Sequence, residues 1–372
     1  MPDHIDTRVP VTLLTGFLGS GKTTLLSRAV RHGGMARTVV IINEFGEVSL
    51  DHSLVASSND NIVVLENGCM CCTVRGDLLE TLSELHRART AGRVAAFEHV
   101  VIETSGLADP APILQALLSE PSLEAHFKLA RVVATYDAVN GPGTLSRHDE
   151  AVRQLAMADH IVVTKLDLQS QTDGLAVVRA TLRTVNPAAV IEAVPEDDAA
   201  LLTLLHAAGH DPFCSSEQAL AWLNAEAYGC DSHDHDHDHS SHSAAVHLQD
   251  IASFCFVKEQ PMEREALHLL LAALENNLGP NLLRVKGLVN IADEPGRPAL
   301  VQGAQHLLHN LTWLDAWPDA DTRTRVVFIA QGIARDAVIE MIELLERIAS
   351  RTAKARLNAP QVAAKVTQVV TL

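Results

Sequence analysis

One short turn of the sequence concentrates cysteine. The stretch ENGCMCCTVRGDL, residues 66–78, holds Cys69, Cys71 and Cys72, three of the six cysteines in 372 residues. Thiolates are soft ligands that suit Zn²⁺ and, less selectively, Co²⁺. Three thiolates leave a tetrahedral ion one ligand short, and Glu47, a histidine, water or a side chain of a second protein could complete it. Buried free thiols or a redox pair are the alternatives, but the crowding favours a metal site.

A second stretch, GFLGSGKT from Gly16 to Thr23, matches the phosphate-binding P-loop pattern between a strand-like run and a helical run. In this pattern the backbone N–H groups wrap phosphates, the lysine reaches the β- and γ-phosphates, and the hydroxyl group binds Mg²⁺. We therefore predict a nucleotide site in which Lys22 also assists catalysis and Thr23 binds the Mg²⁺. The predicted binding residues are Gly16, Gly19, Ser20, Gly21, Lys22, Thr23 and Thr24.

Thr164, Lys165 and Asp167, within HIVVTKLDL, predict which base is bound. A carboxylate here can accept two hydrogen bonds from the guanine edge while the lysine stem covers the ring, and adenine would leave these groups unpaired. A surface loop is the alternative interpretation of so short a pattern. Its position after a P-loop and a late strand favours GTP, although many GTPases have Asn where this sequence has Thr164.

A third nucleotide element follows the strand-like run in VVIETSGLADP, residues 100–110. Glu103 lies at the end of the run, and Gly106 follows three residues later. The carboxylate can organise Mg²⁺ or the attacking water, and the glycine N–H can sense the γ-phosphate. A solvated turn is the alternative. We predict that Glu103 and Gly106 act in catalysis together with Lys22.

The elements that must position these residues alternate between β-rich and helical patterns. Continuous Val/Ile/Leu runs are typical of strands covered on both faces of a parallel sheet. We predict an α/β P-loop NTPase domain over residues 1–228, with a mostly parallel doubly wound sheet. Its strands are predicted at 11–15, 38–43, 61–66, 99–104, 130–137 and 160–165, and helices at 22–33 and 76–91.

A composition break follows at residues 229–246, where CDSHDHDHDHSSHS has no apolar residue beyond its cysteine. Such a segment cannot bury surface and is predicted to be a solvated linker. Neutral imidazoles bind divalent metals, so the linker could also be a weak multivalent metal antenna, which Cys230 could join. Cys214 and Cys255 are expected to pack instead. The predicted metal ligands in the linker are His233, His235, His237 and His239.

Residues 247–350 show a different order of strand-like and helical patterns, which predicts a smaller C-terminal α+β domain. We interpret its elements as βαββαβ, give or take an end element, which is typical of a ferredoxin-like fold. The tail at 351–372 carries no prediction. Strands are predicted at 251–257, 281–291, 299–307 and 324–331, and helices at 263–279 and 335–350.

The overall charge narrows the class of partner. The net charge is -17, which argues against nucleic acid or an anionic membrane because both attract basic patches. No apolar run approaches the roughly 18 residues of a membrane span, and the first residues do not resemble a signal peptide. We expect a cytoplasmic, reducing setting, in which clustered cysteines favour metal binding over structural disulfides.

Five stretches in order, GFLGSGKTTLL, NEFGEVSLD, NGCMCCTVRGDL, IETSGLADP and TKLD, resemble the CobW-type P-loop GTPases. This family of metallochaperones is related to the nickel-insertion GTPases of hydrogenase and urease. The resemblance covers nearly the whole chain, because such proteins commonly carry a His-rich linker and a C-terminal α+β domain. It implies GTP hydrolysis coupled to the handling of Zn²⁺, Co²⁺ or a similar ion, with the Cys-x-Cys-Cys turn as the metal site.

We therefore predict a GTPase that uses GTP and Mg²⁺, loads a divalent metal, with zinc preferred, and delivers it to a client metalloprotein. Cobalt handling for cobalamin synthesis and a metal sensor or buffer with nucleotide-regulated binding are the alternatives. A small-molecule phosphotransferase is a further one, against which Lys165 and Asp167 count. The sequence leaves open the client, the fourth metal ligand and whether the chain forms a homo-oligomer.

Overall fold

Two sheets organise the chain in the computed structural model. The structure describes residues 7–31, 33–43, 62–65, 72–169, 174–206, 212–213, 215–230, 250–305, 307–308 and 311–358. The first sheet has seven strands in the order β3-β2-β4-β1-β5-β6-β7, all parallel. The second sheet is antiparallel and lies toward the C-terminus. The predicted combination of a parallel α/β domain and a smaller α+β domain is confirmed.

Helices cover both faces of the parallel sheet. Its strands are β1 (Val9–Gly16), β2 (Thr38–Asn43), β3 (Ile62–Leu65), β4 (His99–Glu103), β5 (Phe127–Asp137), β6 (His160–Thr164) and β7 (Val190–Ala193). The helices are α1 (Lys22–Arg31), α2 (Cys72–Thr90), α3 (Ala111–Ser119), α4 (Pro121–Glu124), α5 (Gly141–Leu145), α6 (Asp149–Met157), α7 (Gly174–Val185) and α8 (Asp198–His206). Helices α1 and α8 cover one face, and α2, α3, α6 and α7 cover the other.

The six strands predicted for this domain are confirmed. The structure adds β7, which the sequence pattern did not predict because it has four residues and only Ile191 is buried. It also begins α2 at Cys72 rather than at residue 76. The third cysteine of the cysteine turn is therefore the first residue of a helix.

A connecting segment leads to the second sheet. It contains α9 (Ser216–Leu223) and a 3-10 turn, Ala225–Tyr228. The C-terminal elements are β8 (Ile251–Lys258), α10 (Arg264–Ala273), β9 (Leu282–Val289), β10 (Ala299–Ala304), β11 (Leu307–Leu308), β12 (Thr312–Trp313), β13 (Thr324–Gln331) and α11 (Arg335–Asn358). Five of these strands follow the order β11-β10-β9-β13-β8, and β12 pairs with β10.

The predicted strand at 324–331 and helix at 335–350 are confirmed, so the βαββαβ order, which ends on a strand, is wrong in its last part. Strand β13 precedes α11 along the chain and inserts between β8 and β9 in the sheet. Seven of the eight residues of β13 are buried, which suits a central strand that is covered on both faces. Its side chains alternate accordingly between the two faces of the sheet, with Phe328 among α10 and α11 and Val327 among residues of α9.

The second face of the C-terminal sheet therefore packs on the rest of the chain. Ile329 of β13 and Leu283 of β9 join an apolar cluster with α6 and α7 of the first domain. Helix α9 contributes Trp222 to the neighbouring cluster on the same face. The two domains thus share a buried interface, and α6 lies in it.

Two cysteines depart from their predicted roles. Cys230 and Cys255 form a disulfide, with their Cα atoms 5.3 Å apart, and both are buried in the cluster around Trp222. The prediction that Cys230 joins a metal antenna is wrong because its sulfur is bonded and buried. Cys255 is buried as predicted, but as half of a disulfide, and Cys214 lies outside the described residues.

Among the helices that the structure describes, none is long and apolar enough to cross a lipid bilayer.

Candidate functional site

The P-loop lies at the carboxyl end of β1, the central strand of the parallel sheet. This edge of an open α/β sheet is where ligands bind. Three of its glycines have positive φ: +136° at Gly16, +72° at Gly19 and +97° at Gly21. A Cβ atom at Gly16 would lie 2.4 Å from Oγ1 and 2.6 Å from the carbonyl oxygen of Thr135. The tight loop therefore requires glycine there, in both conformation and space.

The first residues of α1 converge on the end of β4. Lys22 is buried, and its Nζ donates to the carbonyl oxygens of Gly16 at 2.8 Å and Phe17 at 3.3 Å. The hydroxyl of Thr23 donates to Oε1 of Glu103 at 2.7 Å, and Glu103 is also buried. The structure thus brings the predicted Lys22, Thr23 and Glu103 together. Thr24, also predicted to bind nucleotide, is exposed on the next position of α1.

Two hydroxyl groups fasten the P-loop to neighbouring strands. Oγ of Ser20 lies 2.6 Å from Oγ1 of Thr135 on β5. Oγ1 of Thr164 donates to the carbonyl oxygen of Ser20 at 2.8 Å and to that of Tyr136 at 3.2 Å. Thr164, which stands where many GTPases have Asn, therefore ties the end of β6 to the P-loop with its hydroxyl group.

Lys165 is held across the P-loop by an acidic residue. It has φ of +58°, and its Nζ donates to the carbonyl oxygen of Gly19 at 2.8 Å and to Oδ2 of Asp137 at 2.7 Å. Asp167 follows in a 3-10 turn, Leu166–Leu168, where it is exposed. The lysine stem is therefore positioned from two sides, and the Asp167 carboxylate is accessible to a ligand.

Asp137, the last residue of β5, is not among the predicted site residues. Its Oδ1 accepts from the backbone N–H groups of Val139 and Asn140, and its Oδ2 from Lys165 and from the Asn140 amide. Burial opposes ionisation, but these hydrogen bonds outweigh it and lower the pKa of Asp137 to about 2. The available signal was an Asp at the end of a predicted strand, followed three residues later by Asn.

Gly106 sits directly on the P-loop. A Cβ atom there would lie 2.7 Å from the backbone nitrogen and 2.8 Å from the Cα of Leu18. Gln154 of α6 is fully buried, and its Nε2 donates to the carbonyl oxygens of Gly106 at 3.2 Å and Ala108 at 3.0 Å. This glutamine was also missed, because one polar residue on a helix carries no signal until its burial is known.

Helix α6 links this loop to the C-terminal domain. At its first residue, Asp149, Oδ1 accepts a hydrogen bond from Gln331 of β13 at 3.0 Å. At its last residue, Met157, the carbonyl oxygen accepts from Arg284 of β9 at 3.0 Å. In the loop itself, Asp109 accepts a hydrogen bond from Gln305, just past β10. The loop that carries Gly106 and the C-terminal sheet are thus held by one helix.

The predicted metal ligands lie largely outside the described residues. Of the cysteine turn, Cys72 begins α2, and β3 ends at Leu65 on the other side of the turn. Within the described residues, no group of three or more His, Cys, Asp or Glu side chains could hold a metal ion. The other predicted ligands, Cys69, Cys71, Glu47, His233, His235, His237 and His239, fall outside the described ranges.

Two models of known protein families match this chain, one over each of its domains. Residues 10–192 match the model of the CobW/HypB/UreG nucleotide-binding domain, and residues 251–345 match that of the cobalamin synthesis protein CobW C-terminal domain. The first match spans the P-loop, the cysteine turn and the Lys165–Asp167 segment. The second spans the C-terminal strands and the first part of α11.

Relatives are similar over most of the chain. The zinc chaperone YjiA of Escherichia coli is 32% identical, over 89% of this chain and 96% of its own. The zinc-regulated GTPase metalloprotein activator 1 of Schizosaccharomyces pombe is 30% identical, over 90% of this chain and 85% of its own. The crystal structure of Zn(II)-bound YjiA GTPase superposes with a TM-score of 0.62 at 26% identity, covering 95% of this chain and 99% of that one.

Proposed function

This chain belongs to the CobW/HypB/UreG family of GTPases, and from that premise we propose that it uses GTP hydrolysis to load zinc at the Cys-x-Cys-Cys turn and deliver it to a client metalloprotein. The similarity to proteins named zinc chaperone and zinc-regulated GTPase supports a GTP-dependent metal chaperone. Zinc is preferred to cobalt because these relatives are named for zinc and because thiolates suit it.

The nucleotide half of the proposal is carried by the P-loop geometry. Glycines at positive φ and the strand–loop–helix setting fit a phosphate chain, and the exposed Asp167 beside the anchored Lys165 fits a guanine base. The residues present also fit Mg²⁺: the Thr23 hydroxyl would hold it, with Glu103 in hydrogen-bond contact. When bound, Mg²⁺ neutralises phosphate charge. Lys22 stabilises the phosphates, and Glu103 orients Thr23 and the attacking water.

The metal half rests on the chemistry of Cys69, Cys71 and Cys72. Three thiolates leave an open position, which suits transfer better than a permanent structural site. Glu47, in the segment between β2 and β3, would supply the fourth ligand in one nucleotide state. The start of α2 at Cys72 attaches this turn to a helix packed on the sheet, so movement near the nucleotide can reach the metal.

The two halves are joined by the loop that carries Gly106. We propose that γ-phosphate loss releases this loop from its close packing on Leu18, and Gln154 connects the loop to α6. Because the C-terminal domain contacts both ends of α6 through Gln331 and Arg284, the same release would alter that domain's contact with a client. We assign the C-terminal domain the role of responding to the nucleotide state.

Zinc titrations in two nucleotide states test the coupling. Zinc affinity would be measured with GDP and with a non-hydrolysable GTP analogue, and we expect the two to differ by about 5- to 150-fold, the usual range for linked sites. Replacing Cys69, Cys71 and Cys72 by Ser should abolish tight zinc binding and leave GTP affinity unchanged. Equal zinc affinities in both states would refute the delivery mechanism. A very low steady-state rate of GTP hydrolysis that zinc does not change would favour a metal sensor or buffer.

The His/Asp-rich linker has a separate test. We propose that His233, His235, His237 and His239 collect metal weakly, so deleting residues 231–242 should lower the number of weak zinc sites. The rate of GTP hydrolysis at saturating zinc should not change. Loss of hydrolysis or of folding in the deletion variant would contradict the proposal.

A further inference from the structure

A second polar cluster lies between the domains, at the edge of the parallel sheet opposite the P-loop. Asp159 immediately precedes β6, Arg131 lies in β5, and Arg284 and Lys286 lie in β9 of the C-terminal sheet. These residues line one cavity of about 370 Å³, within the size range of small-molecule sites. Strand β6 runs from this cavity to Thr164 at the nucleotide site, a span of about 13 Å at ~3.3 Å per residue.

The cavity carries a surplus of positive charge. Among the described residues that line it, five are Lys or Arg and two are Asp or Glu. The whole chain has the opposite balance, with a net charge of -17, so this surplus runs against the composition. The basic residues are Arg8, Lys128, Arg131, Arg284 and Lys286, and the acidic ones are Glu124 and Asp159.

Both carboxylate oxygens of Asp159 accept hydrogen bonds. Its Oδ1 accepts from Arg284, and its Oδ2 accepts from the backbone N–H of Val132 at 3.0 Å. Burial opposes its ionisation, but the charges of Arg284 and Lys286 outweigh burial and hold the pKa of Asp159 below its usual range. Arg284 also donates to the carbonyl oxygens of Met157 and Ala158. One carboxylate and one guanidinium thus satisfy each other.

Lys286 and Arg131 are left with long contacts. Nζ of Lys286 lies 3.5 Å from Oδ1 of Asp159, 3.3 Å from the carbonyl oxygen of Trp222 and 5.1 Å from the centroid of its ring. Burial, and then the charge of Arg284, lower the pKa of Lys286 to about 7. Within the described part of the chain, Arg131 makes a single hydrogen bond, 3.3 Å to Nδ1 of His160. Asp159 and Glu192 attract the guanidinium of Arg131 without a hydrogen bond to it, so two basic side chains with long contacts face one cavity.

We propose that this cavity binds a small multivalent anion, bearing phosphate or carboxylate groups, between Arg131 of the first domain and Lys286 of the second. Charge-assisted hydrogen bonds to such an anion would replace the long contacts of both groups. Because the walls come from both domains, the anion stabilises their interface by mass action. The site is separate from the P-loop and does not depend on the proposed metal delivery.

Calorimetric titration of the full-length protein tests the site. The protein would be freed of zinc and saturated with a non-hydrolysable GTP analogue and Mg²⁺, so that the γ-phosphate position of the P-loop site is already filled when the anion is added. Sodium phosphate and sodium citrate are the probes, with sodium chloride at equal ionic strength as the reference. We expect saturable 1:1 binding of at least one probe and a raised melting temperature. Phosphate binding alone would assign a phosphorylated ligand, and citrate binding alone a polycarboxylate.

Four variants decide whether binding occurs in this cavity. Lys286→Met and Arg131→Gln should each weaken binding at least tenfold, and Lys286→Arg should keep it within about threefold of the wild type. Lys258→Met is the matched control, because Lys258 lies on β8 and pairs with Glu346 at 2.9 Å. If Lys286→Met does not fold, Arg131→Gln decides alone. Absence of saturable binding of both probes, or wild-type affinity in the folded variants of the cavity, would overturn the proposal.

Discussion

Replacing Gly106 by Ala tests whether the loop after β4 must lie against the P-loop for catalysis. The added Cβ would lie 2.7 Å from the backbone nitrogen of Leu18, and ordinary contact begins at about 3.4 Å, so one backbone must move by about 0.7 Å. The side-chain Cδ2 of Leu18, also 2.7 Å away, can turn aside, but the backbone nitrogen and the Cα at 2.8 Å cannot. A misplacement near 1 Å can cost about 100-fold in rate, so we expect kcat to fall about 10- to 100-fold.

Single-turnover GTP hydrolysis measures this effect directly. GDP affinity should stay within about threefold of the wild type, because GDP lacks the phosphate that the Gly106 N–H would contact. The free energy of unfolding should fall by about 1–3 kcal/mol, the usual range for overpacking. The loss therefore concerns the response to GTP rather than nucleotide binding as such.

Gly296→Ala is the matched control for the same chemical change. A Cβ at Gly296 meets nothing within 4 Å, and its φ is not positive, so this variant should hydrolyse GTP at the wild-type rate. A Gly106→Ala variant with unchanged kcat would refute the reasoning. Equal losses of GDP and GTP-analogue affinity would refute it too, since they would indicate a collapsed P-loop.

Four further changes have expected outcomes. Asp167→Asn should weaken GTP binding about 30- to 1000-fold, from roughly 2–4 kcal/mol of lost charge-assisted bonds, and unchanged affinity by calorimetry would show that guanine is bound elsewhere. Asp137→Asn removes the anion that holds Lys165, so GTP affinity in the same assay should fall about 5- to 30-fold, from ~1–2 kcal/mol. Gln154→Met should lower the single-turnover rate about 3- to 10-fold with GDP affinity kept, and an unchanged rate would exclude its role in holding the Gly106 loop. Burial, and then a neighbouring histidine, lower the pKa of His99 to about 4 from 6.5, so the unfolded state binds its proton first as pH falls. Urea unfolding from pH 7.5 to pH 5 should show a loss of stability that is smaller by about 2 kcal/mol in His99→Gln than in the wild type, and equal losses in the two proteins would contradict this assignment.

Motif spacing and hydrophobic runs predicted the nucleotide half of the protein from the sequence. A P-loop needs glycine at fixed offsets for backbone reasons, and the positive φ values at Gly16, Gly19 and Gly21 follow from that requirement. The buried strands of a parallel sheet are continuous apolar runs, so their positions could be predicted without knowing their order. The contact between Thr23 and Glu103 was not predicted, because it depends on β1 and β4 being neighbours in the sheet.

Other features depend on pairs of residues far apart in the chain. The strand β7 and the place of β13 between β8 and β9 depend on which surfaces are already covered, and a local pattern does not carry that. The Cys230–Cys255 disulfide likewise depends on the path of the chain, which brings two Cα atoms within 5.3 Å.

Burial decided the remaining roles. Asp137, Gln154 and Lys286 are ordinary polar residues in the sequence, and each takes on its role because it loses water and must find a partner nearby. Asp137 forms an ion pair with Lys165, and Gln154 donates hydrogen bonds to carbonyl oxygens of the Gly106 loop. Lys286 finds only long contacts beside a second cation. The sequence by itself determined the P-loop and six of the seven strands of the parallel sheet, because these depend on local spacing. Tertiary structure alone decided how the domains meet and which charges lie unsatisfied between them, because desolvation is set by neighbours that are distant in the chain.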